Sequence, residues 1–177
     1  MALTKWVIDP AHSEVLFKVK HLVISTVTGS FSKFDAQLET ENEDFTDASI
    51  FFSAEVNSIN TNNAQRDAHL KSDDFFAADK FPQLTFKSTS FKKVGESQYE
   101  LKGDLTIRDV TKNITLNVIF GGIMVDFYGN TKAGFELEGK INRKDFGLNW
   151  SAVTEAGGVV VSDEVRLSLN IQMVKQS

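Results

Sequence analysis

The side chains that could carry out acid–base or metal chemistry are few and lie far apart. The 177-residue chain has three histidines, His12, His21 and His69, and no cysteine. No two histidines stand four residues apart, the spacing with which a helix presents two imidazoles to one zinc ion. The missing cysteines exclude thiolate metal sites, iron–sulfur clusters and a cysteine nucleophile. We therefore predict no metal site, no catalytic residue and no cofactor, which argues against an enzyme.

Arg66, Asp67 and His69 form one group of charged and titratable side chains. On a helix, Arg66 and His69 share one face, and Asp67 is turned away from it. Arg66 could donate a forked pair of hydrogen bonds to an anionic or quinone head group, with His69 beside it. Alternatively, Arg66 pairs with a carboxylate, and Asp67 caps the helix or pairs with Lys71. In that case the group only fixes the helix in place.

Arg143, Asp145 and Trp150 form a second group, just after a predicted strand that ends near Ile141. A structural ion pair beneath the indole is one interpretation, and a clamp for a ligand head group is the other. His21 lies on the apolar face of its strand, where a neutral imidazole needs a hydrogen-bond partner. It is therefore either a satisfied core histidine or a polar contact inside a ligand cavity.

Strands must position these side chains, because most of the chain alternates apolar and polar residues with a period of two. The first such segment places Val15, Phe17 and Val19 on one face, and the pattern predicts eight or nine strands in all. One stretch departs from it, from about 62 to 80, where Asn62 or Asn63 can cap a short helix. We interpret this stretch as a helical insertion between two groups of strands.

Length, charge and hydropathy limit the class of protein. The length predicts one domain over residues 1–177. A net charge of -5 and a pI near 5.2 have the wrong sign for neutralising phosphates, so we expect no nucleic-acid partner. No apolar run approaches the roughly 18 residues of a membrane-spanning helix, so we expect a soluble protein. The first residues lack a secretory signal, which predicts a cytoplasmic chain, or a periplasmic one if this is a processed form.

Fifteen phenylalanines against two tyrosines and two tryptophans supply aromatic bulk with few polar groups. Strands with one apolar face have to close into a barrel or pack as two sheets. The interior of an eight-stranded barrel is just wide enough to be filled by side chains or to hold one slender ligand. The inward set is therefore either a solid core or the wall of a ligand tunnel. Its members are Phe17, Val19, Phe34, Phe52, Val56, Phe86, Leu101, Leu116 and Phe135.

Nine short motifs, each weak by itself, follow one another along the chain. They are Trp6-Val-Ile-Asp-Pro-Ala-His-Ser13, Lys20-His21, Gly29-Ser-Phe31, Ser58-Ile-Asn-Thr61, Arg66-Asp-Ala-His-Leu70, Asp74-Phe-Phe76, Phe81-Pro-Gln-Leu-Thr-Phe86, Gly103-Asp-Leu-Thr-Ile107 and Arg143-Lys-Asp-Phe-Gly-Leu148. In this order and at these spacings, the chain from about Thr4 to Val174 resembles the YceI-like family of polyisoprenoid-binding proteins.

The resemblance implies a mainly β fold, an eight-stranded antiparallel lipocalin-like barrel with a short helical insertion. It also implies that an elongated lumen holds a long-chain isoprenoid lipid, such as a polyprenyl phosphate or an isoprenoid quinone. Transient contact with a membrane and formation of a homodimer stay open. In addition to the inward set, the predicted ligand-binding residues are His21, Arg66, His69, Phe75, Phe76, Arg143 and Trp150.

Apolar burial favours a long tail over a small metabolite. Burying one five-carbon isoprene unit contributes roughly 4 kcal/mol at about 0.8 kcal/mol per CH₂, whereas immobilising a ligand costs about 4–15 kcal/mol. About three units are therefore needed for tight binding. Our first hypothesis is a protein that sequesters or carries an isoprenoid lipid. The alternatives are an enzyme of isoprenoid or quinone chemistry that uses His21 or His69 as acid–base, and a stress-related module with a packed interior.

Overall fold

Strands account for most of the structure, a computed structural model that describes residues 3–21, 25–41, 44–148 and 161–176. One α-helix and three short 3-10 helices, Pro10–His12, Val56–Ser58 and Arg143–Phe146, interrupt them. The strands are β1 (Thr4–Ile8), β2 (Glu14–His21), β3 (Ser25–Phe31), β4 (Phe34–Thr40), β5 (Ser49–Glu55), β6 (Ile59–Asn60), β7 (Gln83–Lys93), β8 (Gln98–Ile107), β9 (Val110–Val125), β10 (Thr131–Asn142) and β11 (Val161–Lys175), and the helix is α1 (Ala64–Lys71).

Eight strands close into an antiparallel barrel. β1 pairs with β4 on one side and with β11 on the other, and the circuit is completed through β5, β7, β8, β9 and β10. The other three strands extend this sheet. β2 pairs with β11 next to the stretch of β11 that pairs with β1, and β6 pairs with β3. Along the chain, β3 comes directly before β4, and β6 comes after β5. The prediction of a mainly β fold with an eight-stranded antiparallel barrel and one short helix is confirmed.

We name the two ends of the barrel after a buried side chain at each. The Phe45 end holds the β4–β5 connection, the β7–β8 turn, the β9–β10 hairpin, the start of β1 and the end of β11. The Arg143 end holds α1, the β8–β9 turn and the 3-10 helix Arg143–Phe146. At about 3.4 Å per residue, the ten residues of β8 separate the two ends by roughly 30 Å along the strand.

The residues that face inward are those that the period of two predicts. On β8, every second residue from Tyr99 to Ile107 is buried, and the residues between them are exposed or half-buried. Cross-strand pairing carries this face around the barrel, as where Leu101 lies opposite Leu116 of β9. The strands therefore present one continuous apolar surface to the interior.

The helical insertion begins with the predicted cap. Asn63 is the N-cap residue, and its side-chain oxygen accepts a hydrogen bond of 3.0 Å from the backbone N–H of Arg66. After α1 the chain turns back, and Phe76 meets Phe31 of β3 edge to face with ring centroids 6.3 Å apart. This contact packs the insertion against the inner face of β3. Within the described ranges, no helix is long and apolar enough to cross a bilayer.

Side chains from neighbouring strands lie over glycines on the inner face. Phe86 of β7 covers Gly103 of β8, so a Cβ atom at Gly103 would lie 2.3 Å from Cζ of Phe86 and 2.7 Å from the carbonyl oxygen of Lys87. Phe17 covers Gly29, and Leu116 covers Gly139, in the same way. The glycines thus give bulky neighbours room inside a narrow barrel.

We predict that Gly103→Ala lowers the free energy of unfolding by about 1–3 kcal/mol, because the carbonyl of Lys87 belongs to the backbone and cannot move aside as a side chain can. The midpoint of urea unfolding measures the change. Gly134→Ala in β10 is the control, since a Cβ atom there meets no heavy atom within 4 Å. Equal midpoints for the two variants would contradict the prediction.

Candidate functional site

An apolar cavity lies inside the barrel between its two ends. Its volume is about 210 Å³. A single water molecule needs only roughly 10–15 Å³. The cavity therefore has room for a molecule much larger than water.

The wall of the cavity is apolar except for one side chain. Of the 31 described residues that line it, 30 are apolar and Arg143 is the exception. Because an apolar wall offers almost no hydrogen bonds to water, such a space favours a hydrocarbon ligand.

Ten of the residues predicted to bind ligand lie in this wall, where their role in binding stays a prediction. They are Phe17, Val19, Phe52, Phe75, Phe76, Phe86, Leu101, Leu116, Phe135 and Arg143.

Aromatic rings close the Phe45 end of the cavity. Phe45 is 1% exposed, and its ring centroid lies 5.2 Å from that of Trp6, 5.4 Å from that of Phe120 and 5.3 Å from that of Phe135. Phe135 also lines the cavity, so Phe45 lies directly behind the wall. These four rings form an aromatic floor, the name we use for them below.

The loop that carries Phe45 is tied to the neighbouring strands. The hydroxyl of Tyr99 donates to the carbonyl oxygen of Asp44, and the N–H of Asp47 donates to the carbonyl oxygen of Phe91 at 3.1 Å. Phe45 and Asp47 have φ values of 65° and 63°, in the left-handed region that bulky side chains rarely adopt. Packing of the Phe45 ring and these two hydrogen bonds, and not local backbone preference, therefore hold this loop across the end of the barrel.

Arg143 is buried at the opposite end, with 3% of its side chain exposed. Its Nε donates to the carbonyl oxygen of Ser162 at 2.9 Å, and its Nη1 donates to the carbonyl oxygen of Leu148. Its Nη2 lies 3.7 Å from Oδ1 of Asp163. Burial lowers the pKa of Arg143 and the Asp163 carboxylate raises it, but a guanidinium stays charged in proteins. Arg143 thus joins Leu148 to Ser162 and places one positive charge at the cavity wall.

Arg66 and His69 lie outside the cavity wall. Arg66 donates from Nε to Oγ1 of Thr61 at 2.8 Å and from Nη2 to the carbonyl oxygen of Thr61 at 2.6 Å. Nε2 of His69 lies 2.8 Å from Oδ2 of Asp74. The two side chains are therefore engaged within the insertion, and the structure does not bring them to the cavity as a head-group site.

Asp67 and Arg66 have other partners than those expected if the two residues only fix the helix in place. Asp67 accepts hydrogen bonds from the backbone N–H of Thr61 at 2.9 Å and from its hydroxyl at 2.5 Å, and it forms no ion pair with Lys71. Thr61, and not a carboxylate, is the partner of Arg66. The group does fix the helix in place, but it does so through one threonine that both charged side chains share.

The other predicted residues also lie elsewhere. Phe34 is half-buried and stacks on Phe52 with ring centroids 6.4 Å apart, but it does not line the cavity. Val56 is buried in a 3-10 helix after β5, away from the wall. His21 ends β2, but its side chain is outside the described part of the chain, as is the whole of Trp150.

The rest of the wall was not among the predicted site residues. Most of these residues occupy alternate positions of strands, where the period of two predicts an inward face. This period does not distinguish a residue of the cavity wall from a residue of the packed core. Leu70 had no such signal, because it belongs to α1. The additional residues are Val15, Leu16, Phe31, Ala36, Leu38, Ile50, Leu70, Leu84, Phe91, Leu105, Ile107, Ile114, Val118, Leu137, Ile141, Leu148, Val165, Leu167, Leu169, Ile171 and Met173.

Comparison with known proteins finds similarity over nearly the whole chain. The model of the YceI-like domain matches residues 6–173. A UPF0312 protein of Staphylococcus aureus (strain MSSA476) is 37% identical over 171 residues, which cover 96% of this chain and 97% of that protein. The YceI protein of Campylobacter jejuni is 33% identical in its crystal structure, with a TM-score of 0.75 and coverage of 89% of this chain and 90% of that one.

Two more distant structures share the fold. BcnA of Burkholderia cenocepacia has a TM-score of 0.81 at 23% identity, covering 93% of this chain and 98% of its own. A polyisoprenoid binding domain from Saccharophagus degradans, implicated in plant cell wall breakdown, has a TM-score of 0.67 at 16% identity, covering 97% and 98%. At these identities the likeness concerns the barrel alone.

We predict that Arg143→Met lowers the free energy of unfolding by about 1–3 kcal/mol, because it leaves the carbonyl groups of Leu148 and Ser162 without their donors. Urea unfolding measures the loss. Lys144→Met is the matched control, since Nζ of Lys144 lies 3.4 Å from the same Asp163 carboxylate but its side chain is exposed. An exposed ion pair contributes about 1 kcal/mol or less. A larger loss in the Lys144 variant would show that the ion pair, and not the carbonyl contacts, is what matters.

Proposed function

Because this chain belongs to the YceI-like domain family, we propose that it binds a long isoprenoid lipid, a polyprenyl phosphate or an isoprenoid quinone, inside the barrel. Such a protein sequesters the lipid or carries it through water. The proposal also draws on the fold shared with a domain from another organism that is described as polyisoprenoid binding.

The observation that carries the proposal is the cavity and its apolar wall. Thirty apolar side chains from the barrel strands, from β2 and β3, from α1 and from the turns that follow α1 and the 3-10 helix Arg143–Phe146 surround one space, with a single charge at one end. Val165 and Met173 both belong to the wall, and nine residues of one tilted strand separate the ends of that stretch by roughly 27 Å. A long slender molecule matches this shape better than a compact metabolite does.

Burial of hydrocarbon supplies the affinity in this mechanism. At about 0.8 kcal/mol per CH₂, each isoprene unit contributes roughly 4 kcal/mol, and immobilisation of the ligand costs about 4–15 kcal/mol. Three or more units must therefore enter the cavity before the tail alone gives tight binding. A chain of this length occupies the space between Arg143 and the aromatic floor.

Arg143 gives the cavity a polar end in this proposal. Its charge is held near the wall by the carbonyl groups of Leu148 and Ser162 and faces the exposed carboxylate of Asp163. A fixed positive charge in apolar surroundings attracts an anionic group more strongly than it would in water. We therefore place the head group of the lipid at the Arg143 end and the tail toward the aromatic floor.

Extraction of the purified protein with organic solvent, followed by mass spectrometry, tests the proposal directly. We expect a prenyl lipid to copurify, and the emptied protein to take up added polyprenyl phosphate more tightly than the polyprenol of equal length. An extract without prenyl lipid, together with no uptake of either compound, would rule the proposal out.

A pair of adjacent phenylalanines provides a sharper test of the site. Phe52 lines the cavity, whereas Phe51 faces outward with 49% of its surface exposed. We predict that Phe52→Asp weakens binding of a long-chain polyprenyl phosphate at least tenfold, because a carboxylate in the wall has to stay hydrated. Phe51→Asp is the matched control and should bind as the unmodified protein does. Fluorescence titration with a labelled lipid measures both.

A volume change separates lost binding from lost folding. Leu167→Trp keeps the wall apolar and fills part of the cavity. We expect this variant to stay folded in urea titrations and yet to bind long chains less well than short ones. Unchanged affinity for long chains in both the Phe52 and the Leu167 variant would mean that the lipid binds elsewhere.

A further inference from the structure

The outer edge of β9 has no neighbour at the Phe45 end of the barrel. Among the described strands, β8 pairs with β9 only as far as Ile119, and β9 then continues to Val125 beside β10 alone. Lys132 of β10 lies opposite Met124, and the N–H of Asp126 donates to the carbonyl oxygen of Asn130 at 3.0 Å. Because bonding alternates along an antiparallel pair, the main-chain groups of Ile123 and Val125 point to the outer edge.

The side chains along this edge are apolar and exposed. Ile119, Ile123, Met124 and Val125 are 48–63% exposed. At the tip of the hairpin, Phe127 and Tyr128 are 106% and 89% exposed. Of the nine large apolar side chains that are exposed in the described part of the chain, six lie on this hairpin. An exposed cluster of this kind marks an interaction surface.

The hairpin also lacks the charges that usually protect a free strand edge. From Ile119 to Gly134 the only charged residues are Asp126 and Lys132. Lys132 Nζ lies 3.5 Å from Oδ2 of Asp126 and 2.9 Å from Oδ2 of Asp9, so each charge is compensated within the molecule. Lysines on an edge strand normally prevent pairing with another chain. Here the lysine is held against two carboxylates and leaves the edge available.

We propose that the edge of β9 from Gly121 to Val125 is the contact surface between two copies of this chain, which pair antiparallel about a two-fold axis at Met124. In this register the outward main-chain groups of Ile123 meet those of Val125 of the partner subunit, and the reverse, so that hydrogen bonds form on both sides of the axis. The sheet of one barrel then continues into the sheet of the other.

The area is sufficient for a stable dimer. A standard interface buries about 800 Å² per partner. Phe127 and Tyr128 together present roughly 300–500 Å² at about 150–250 Å² per aromatic side chain. The four half-exposed aliphatic side chains and the paired backbone supply the remainder.

Sedimentation velocity over a range of concentrations tests this arrangement. We expect a dimer for the unmodified chain. Met124→Lys places two ammonium groups opposite each other at the axis and should raise the dimer dissociation constant at least a hundredfold. Met124→Leu should keep the dimer, and so should Phe51→Lys, which alters an exposed apolar residue away from the edge. Since Met124 does not line the cavity, isoprenoid binding should be unchanged in all three variants.

A single cysteine locates the axis, because the chain has none of its own. Opposed residues that are not hydrogen-bonded have Cα atoms about 4.5 Å apart, within the range of a disulfide. Met124→Cys should therefore give a covalent dimer on mild oxidation, whereas Asp109→Cys, at the far end of the barrel, should not.

Two results would overturn the proposal. One is a monomer at every concentration. If that monomer also binds phosphatidylcholine vesicles in a flotation assay, and does so through Phe127, the edge is a membrane contact and not a dimer contact. The other is a dimer that Met124→Lys leaves intact and that Met124→Cys does not crosslink.

Discussion

Closure of the sheet between β1 and β11 is the contact on which the rest of the structure depends. Three residue pairs make it, Trp6 with Lys175, Val7 with Val174 and Ile8 with Met173, and a backbone hydrogen bond lies at each end of this stretch. Without these pairs, the apolar faces of eight strands would border water, and no cavity would exist to be separated from solvent. With them, the sheet closes on itself, and the stretch of β9 beyond Ile119 keeps a free outer edge at the Phe45 end. A short contact thus decides both where the interior lies and which edge stays free.

The interior is filled at the Phe45 end and hollow between there and the Arg143 end, because bulky and small inward residues are distributed unevenly along the barrel. At the Phe45 end the aromatic floor packs ring against ring. Along the middle, Phe17, Phe86 and Leu116 lie over glycines of the neighbouring strand instead of reaching across the barrel. A side chain that lies flat against the wall leaves the centre open. The same large apolar residues can therefore build a solid core or a tunnel, depending on whether a glycine stands beside them.

The strands and their inward faces could be predicted from the sequence because period-two alternation is a local property of each segment. For the same reason, seven of the predicted inward residues lie in the wall: Phe17, Val19, Phe52, Phe86, Leu101, Leu116 and Phe135. Arg66 and His69 do not line the cavity, because their partners, Thr61 and Asp74, are set by the local turns around α1 and not by helical spacing, and their role in binding stays a prediction. No such pattern marks Phe45, because it lies in an irregular loop with positive φ that is held by rings and hydrogen bonds from distant strands. Contacts between segments far apart in the chain leave no such periodic trace.

The neighbouring positions of β1 and β11 have a consequence for how the molecule is made. The N–H of Gln176 donates to the carbonyl oxygen of Lys5 at 2.8 Å, so the first strand has to wait for the last residues before its second neighbour exists. During translation at about 5–20 residues per second, β1 and the apolar faces after it stay unsealed for roughly 10–30 seconds. Growth on the ribosome therefore leaves an open, half-formed sheet that cannot shut until β11 has been made. Chaperones that shield unpaired strands have their natural opportunity in that interval.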